Sequence, residues 1–108
     1  MTEINTQVLP GPTVRVFVTG EIDLSSTARL TTALTAAVDR PGAVGVEVDF
    51  AGVTFCDSTA IAVLESAWAT ASARALPFRL IRIRPQVAHI LAIVGVLDAF
   101  TGTGQPQA

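Results

Sequence analysis

The stretch Val53-Thr54-Phe55-Cys56-Asp57-Ser58-Thr59-Ala60 decides how this chain is read. An apolar, strand-like tail runs into an acid, two adjacent hydroxyls and a small residue. Ile61, Leu64, Trp68 and Ala71 then recur every three or four places. That change of period predicts a loop delivering Asp57, Ser58 and Thr59 to the start of a helix that runs from about Ser58 to Ala75. The first N–H groups of a helix have no partner within it, and the dipole there is positive. A side-chain oxygen at such a place caps the helix, and a phosphate is favoured by the same N–H groups.

Upstream of this stretch, Ala43–Phe50 alternates Val44, Val46 and Val48 against Gly45, Glu47 and Asp49, which predicts a strand. Ala51-Gly52 permits a bend before Val53 and Phe55. Farther upstream, Thr13–Thr19 is a second alternating, β-branched segment. Pro10-Gly11-Pro12 is a turn signal before it, and residues 1–7 read as a frayed lead-in to a short strand near Thr6–Leu9. The Thr13–Thr19 strand ends at Gly20-Glu21-Ile22-Asp23-Leu24-Ser25-Ser26, a polar bend rich in capping candidates. Leu30, Ala33, Leu34, Ala37 and Val38 then form a helical stripe closed by Pro41-Gly42.

Downstream, Leu76-Pro77 separates the central helix from a strand at Phe78–Ile83. Pro85 opens another helix, with Val87, Ile90, Leu91 and Val94 on one stripe and Gly95 as its stop. Val96, Leu97 and Phe100 are expected to fold back as an apolar lid, and residues 101–108 to form a flexible tail. Strands alternating with helices after an initial hairpin-like pair argue for a mostly parallel sheet with crossover connections. Functional groups of such sheets gather at the carboxyl ends of the strands. Gly20–Ser26 and Phe55–Ala60 both sit there, so the topology predicts that they converge.

Bulk properties narrow the function classes. The 108 residues suit a single domain, 1–108, with half its residues apolar and 15% charged. A net charge of −2 with seven Lys plus Arg argues against nucleic acid as a direct partner. Arg79, Arg82 and Arg84 are the one cationic cluster and read as a partly solvated strand. The longest apolar candidate, His89–Leu97, stops at Asp98, short of the roughly 20 residues a spanning helix needs, so membrane insertion is not expected. No basic leader precedes an apolar run. One cysteine forms no internal disulfide, and no metal-ligand spacing surrounds it; a reducing cytoplasm fits.

The residues offer little machinery for turnover. Ser58 as a nucleophile lacks the Gly-x-Ser-x-Gly elbow, and the one imidazole, His89, lies on another helix. Cys56 reads as a packing residue at a strand exit, with a reactive thiol as the alternative. No Gly-rich phosphate cradle occurs. No catalytic residue, cofactor or metal is therefore assigned, and the chain is read as a non-enzyme. Ser58 can instead be acted upon: a hydroxyl beside Asp57 at a helix start is an acceptor for the γ-phosphoryl group of a kinase. Phosphorylation adds about −1.5 to −2 charges, which Asp57 and Asp23 repel and the helix dipole attracts. The alternative is that Asp57 and Ser58 merely cap the helix.

Three segments together resemble the anti-sigma factor antagonist branch of the STAS domain family (sulfate transporter and anti-sigma antagonist). Gly20-Glu21-Ile22-Asp23 is similar to the family's Gly-Glu-Leu-Asp bend. Val48 to Ala60 resembles its strand–loop–helix signature, which ends in Asp-Ser-Ser/Thr-Gly. Val87 to Phe100 is similar to its closing helix. The resemblance covers about residues 8–100. It implies an α/β fold with a four- or five-stranded sheet and helices on one side. It also implies partner switching: the unphosphorylated domain binds an anti-sigma factor that is a serine kinase, phosphorylation of Ser58 releases it, and a serine phosphatase resets the cycle. The partner surface it implies comprises Glu21, Asp23, Leu24 and Ser25, with Asp57, Thr59 and Ala60 flanking the acceptor. Ala60 departs from the usual Gly, and its methyl is expected to bear on partner affinity. A second reading with the same fold is a non-switching scaffold or adaptor subunit of a signalling or transport complex. Oligomeric state is left open.

Overall fold

The computed structural model describes residues 2–102, and its sheet begins earlier in the chain than the sequence suggests. Strand β1 spans Thr2–Leu9 and pairs antiparallel with β2, Thr13–Ile22, without a break in register from Thr2↔Gly20 to Leu9↔Thr13. The expected frayed lead-in is thus ladder from Thr2 onward. Its own β-signal is weak, and the neighbouring strand supplies the pairing that makes it extended. Thr2 anchors the end: buried, its hydroxyl bonds the Glu21 carbonyl and lies 2.6 Å from the Ser26 hydroxyl.

Pro10-Gly11-Pro12 makes the turn between the two strands. β2 also outruns its expected end, because Gly20, Glu21 and Ile22 remain paired with β3; the polar bend starts only at Asp23. A single 3₁₀ turn, Leu24–Ser26, leads into helix α1, Thr27–Asp39, which buries Leu30, Leu34, Ala37 and Val38 as the stripe predicts.

Strand β3 runs Gly45–Cys56, twelve residues, straight through the expected bend. Its register with β2 slips twice, between Phe17/Thr19 and between Gly20/Glu21. Each slip places one extra residue on β3, so its buried positions change spacing from Val46, Val48, Phe50 to Val53 and Cys56. The Ala51 N–H in the first bulge is taken by Asp49 Oδ1 at 2.9 Å. Gly52 is required there: a Cβ would lie 2.5 Å from Thr19 Cγ2.

Helix α2, Ser58–Ala73, comes next, then β4, Phe78–Ile81, parallel to β3. β4 is two residues shorter than expected because Arg82 turns left-handed, with φ of 56°. Pro85 opens helix α3, Pro85–Val94, and Gly95 closes it in the left-handed conformation, φ 91°. Helix α4, Leu97–Thr101, returns over β4 and buries Phe100. Thr101 is therefore helical and Gly102 closes the helix in the left-handed conformation; residues 103–108 of the expected tail lie outside the described residues.

The sheet order is β1-β2-β3-β4, mixed, with β2, β3 and β4 parallel. The helices cover one face, burying Val14, Val16, Val18, Val46, Val48 and Leu80 against Leu30, Leu34, Leu64 and Leu91. The other face carries a charge ladder across three strands: Arg15 bonds Glu47 at 2.7 Å, Glu47 accepts from Arg79 at 3.1 Å, and Asp49 from Arg82 at 2.9 Å. The Arg15 hydrogen bond foremost, then that of Arg79, holds the Glu47 carboxyl below its ordinary range. Arg84 donates to the Ala51 carbonyl. The Arg79–Arg84 cluster is accordingly tied down on β3, as a partly solvated strand.

Candidate functional site

Two loops leave the carboxyl ends of adjacent parallel strands. Ile22 of β2 pairs with Cys56 of β3, and the Asp57 N–H donates to the Ile22 carbonyl at 3.1 Å. The convergence expected from topology is present in these bonds. Both loops open with an aspartate in extended conformation that caps the helical turn after it. Asp23 Oδ1 accepts from the Ser25 N–H at 3.0 Å and from the Ser25 hydroxyl at 2.6 Å, with Ser26 Oγ at 3.4 Å. Asp57 Oδ1 accepts from the Thr59 N–H at 3.0 Å, the Ala60 N–H at 3.1 Å and the Thr59 hydroxyl.

These bonds stabilise the charged carboxylates. The Thr59 hydroxyl, then the Ala60 N–H, draws Asp57 below the ordinary aspartate range. The Ser25 hydroxyl does the same for Asp23, although the charge of Asp57 works against it. Both groups are therefore anionic at neutral pH and close enough to repel. The same bonds consume the Thr59 and Ala60 N–H groups, so the helix start holds fewer free donors for a phosphate than a bare helix end.

One residue in each loop stays outside this bonding. Leu24 comes directly after Asp23 and is 71% exposed; Ser58 comes directly after Asp57, is the first residue of α2, and is exposed. Among the described residues no group hydrogen-bonds the Ser58 hydroxyl. Asp57, not Ser58, is the cap. Glu21 and Ser25 are exposed beside them, while Asp23, Asp57 and Thr59 are half-buried. Ala60 lies at the other extreme, 0% exposed in the core. Its methyl therefore faces the core while the helix start keeps this form, so its bearing on a partner runs through the placement of that helix start.

Two residues carry no signal in the sequence that would single them out. Phe55 occupies the position paired with Glu21 and is 44% exposed, an aromatic surface beside the loops. The second bulge turns it outward, and no alternation pattern announces that. Thr2 braces the Asp23 loop through Ser26 and Glu21, a long-range tie that leaves no local signature. Cys56 is buried and its thiol is pushed up to about 11, chiefly by burial and further by Asp57. A thiol so protected is a packing residue, not a nucleophile. His89 is exposed on α3 and makes no hydrogen bond to Ser58. Among the described residues no group of three His, Cys, Asp or Glu side chains is placed to hold a metal, and no helix is long and apolar enough to cross a membrane.

An acid-capped helix start after a parallel strand, beside a second acid-capped loop, is the arrangement the Val48–Ala60 signature implied, and residues 6–101 match the family model described as Mlab, STAS domain. The chain belongs to the STAS domain family. No curated protein sequence matches this STAS domain. Among solved structures, an anti-sigma factor antagonist from Mycobacterium paratuberculosis shares its fold with a TM-score of 0.82, at 20% identity over 95% of this chain and 85% of that one. A serine-to-glutamate variant of Moorella thermoacetica RsbS gives 0.75, at 21% identity over 97% and 88%. The Bacillus cell fate determinant SpoIIAA in its phosphorylated form gives 0.73, at 16% identity over 95% and 92%. At these identities the likeness is one of fold.

Proposed function

We propose that this STAS domain is an anti-sigma factor antagonist that switches partners through phosphorylation of Ser58. The observation that carries the reading is the Ser58 hydroxyl: exposed and unbonded between Asp57 and Thr59, which are locked to each other. A kinase can reach this oxygen without disturbing the cap. The neighbours of the same fold support the reading, since they include anti-sigma factor antagonists and one solved in a phosphorylated form.

In the unphosphorylated state Leu24 and Phe55 offer apolar contact around Ser58, and Glu21, Asp23, Ser25, Asp57 and Thr59 offer a polar rim. The partner is an anti-sigma factor with serine kinase activity. Adding about −1.5 to −2 charges beside Asp57 and Asp23 creates a surface that a neutral-serine pocket cannot cover without burying unpaired charge. The complex dissociates, and a serine phosphatase restores the hydroxyl. The setting is cytoplasmic transcription control, with the domain as substrate rather than catalyst. Incubation with the cognate kinase and ATP, followed by mass spectrometry, tests the assignment. Phosphate on Ser58 is expected; phosphate elsewhere, or none, overturns it.

The Mlab description of the matched family favours keeping the adaptor reading as the second. There the same surface holds a constitutive partner and Ser58 is a contact. Under that reading Ser58 takes no phosphate, and the Ser58→Ala variant binds as well as wild type in the presence or absence of ATP.

A further inference from the structure

Strand β1 is an edge of the sheet, so every second residue turns its N–H and C=O away from β2. Proteins usually blunt such edges with lysine, proline, bulges or a covering segment. Between Thr2 and Leu9 there is no lysine, no proline and no break in register, and the one charge is Glu3. The Thr2 carbonyl is taken by Arg29 at 2.9 Å, which leaves Glu3–Leu9 as the open stretch.

That stretch is complementary to itself. Two copies running antiparallel about Thr6 place Thr6 opposite Thr6, Ile4 opposite Val8, Asn5 opposite Gln7 and Glu3 opposite Leu9. Apolar meets apolar, amide meets amide, and the two Glu3 carboxylates stay apart, the pattern that stabilises cross-strand pairs. A two-fold about Asn5 instead sets Val8 against Thr2 and Ile4 against Thr6, and it draws on the carbonyl that Arg29 already holds. The favoured register also keeps the helices of both copies on the same side of the sheet.

The neighbouring surface fits. A cavity of about 370 Å³ opens between β1 and α1, lined by Ile4, Thr6, Ala28, Arg29, Thr32 and Ala33. Val8 is 41% exposed on the same face as Ile4 and Thr6. In the Thr6-centred pairing the Val8 of one copy lies beside Ile4 of the other, at the mouth of this cavity. The small Ala28 and Thr32 side chains leave room for the second helix layer.

We propose that β1 is a self-association edge, through which two copies of this chain join their sheets into one continuous eight-stranded sheet about a two-fold at Thr6. The surface lies apart from the Ser58 site and does not depend on its function. Sedimentation or light scattering over micromolar to millimolar protein tests it, with circular dichroism confirming that each variant is folded. A concentration-dependent dimer is expected. Thr6→Lys, which opposes two cations at an exposed position, is expected to weaken it at least about tenfold. Thr6→Cys is expected to form a disulfide-linked dimer under mild oxidation, with the buried Cys56 inert, and Asn5→Cys is not. A monomer throughout the series, a dimer indifferent to Thr6→Lys, or cross-linking at Asn5 in place of Thr6 overturns the proposal.

Discussion

The Asp23 and Asp57 loops are near copies of one device, and they differ where it matters. Each extends from a parallel strand, each uses an aspartate to hold the N–H and hydroxyl two residues on, and each leaves the residue after the aspartate free. In the first loop that residue is Leu24; in the second it is Ser58. The first leads into a single 3₁₀ turn braced by Thr2, the second into a sixteen-residue helix. The same backbone solution thus exposes an apolar side chain in one place and a hydroxyl in the other. Under the proposed switch, recognition through Leu24 and control through Ser58 use neighbouring loops with separate caps.

The comparison predicts where substitutions act. Ser58→Asp should weaken binding to the anti-sigma partner by about thirtyfold or more, the size of a buried hot spot, while Ser58→Ala preserves it; calorimetry on the pair checks both. Gly52→Ala should cost about 1–3 kcal/mol of stability by forcing β3 away from Thr19, read from denaturant unfolding. It should also disturb both loops together, because they hang from these two strands. Asp57→Ala removes the cap that holds the Thr59 and Ala60 N–H groups of a long helix and should lower the denaturant midpoint. Asp23→Ala should cost less, since its loop keeps the Thr2–Ser26 brace. Leu24→Ala should leave stability unchanged and weaken partner binding.

The smallest effect is on pH dependence. Asp23 and Asp57 have folded pKa values below their unfolded ones. The unfolded chain therefore binds protons first on acidification. Their contribution to stability is fully present above the unfolded value, about 4, and is lost as pH falls through the lower folded values. Thermal melts from neutral pH down to pH 3 should show a shallower acid slope for Asp57→Asn than for wild type.

Much of the fold is legible in the sequence. The stripes of α1, α2 and α3, the turn at Pro10–Pro12 and the convergence of the two loops stem from periodicity, capping residues and topology. The hidden parts depend on partners distant in sequence. β3 looks interrupted at Ala51-Gly52 because bulges change its buried spacing from two to three, and a period-two reading sees that as a bend. β1 looks frayed because its ordering comes from β2 and from Ser26. In the site, Ser58 and Asp57 are readable as oxygens at a helix start. The division of labour between them is not, because it depends on which oxygen takes the helix N–H groups. The burial of Ala60 does not show in its place beside the hydroxyl pair, because the turn of α2 decides it. Phe55 escapes a sequence reading because a bulge, not a pattern, exposes it.

The most direct test of the central claim is the affinity of enzymatically phosphorylated protein for its anti-sigma partner, measured beside the unmodified form. Release from the partner upon phosphorylation of Ser58 is predicted. Equal affinity of the two forms, with Ser58 shown to carry the phosphate, contradicts the switch.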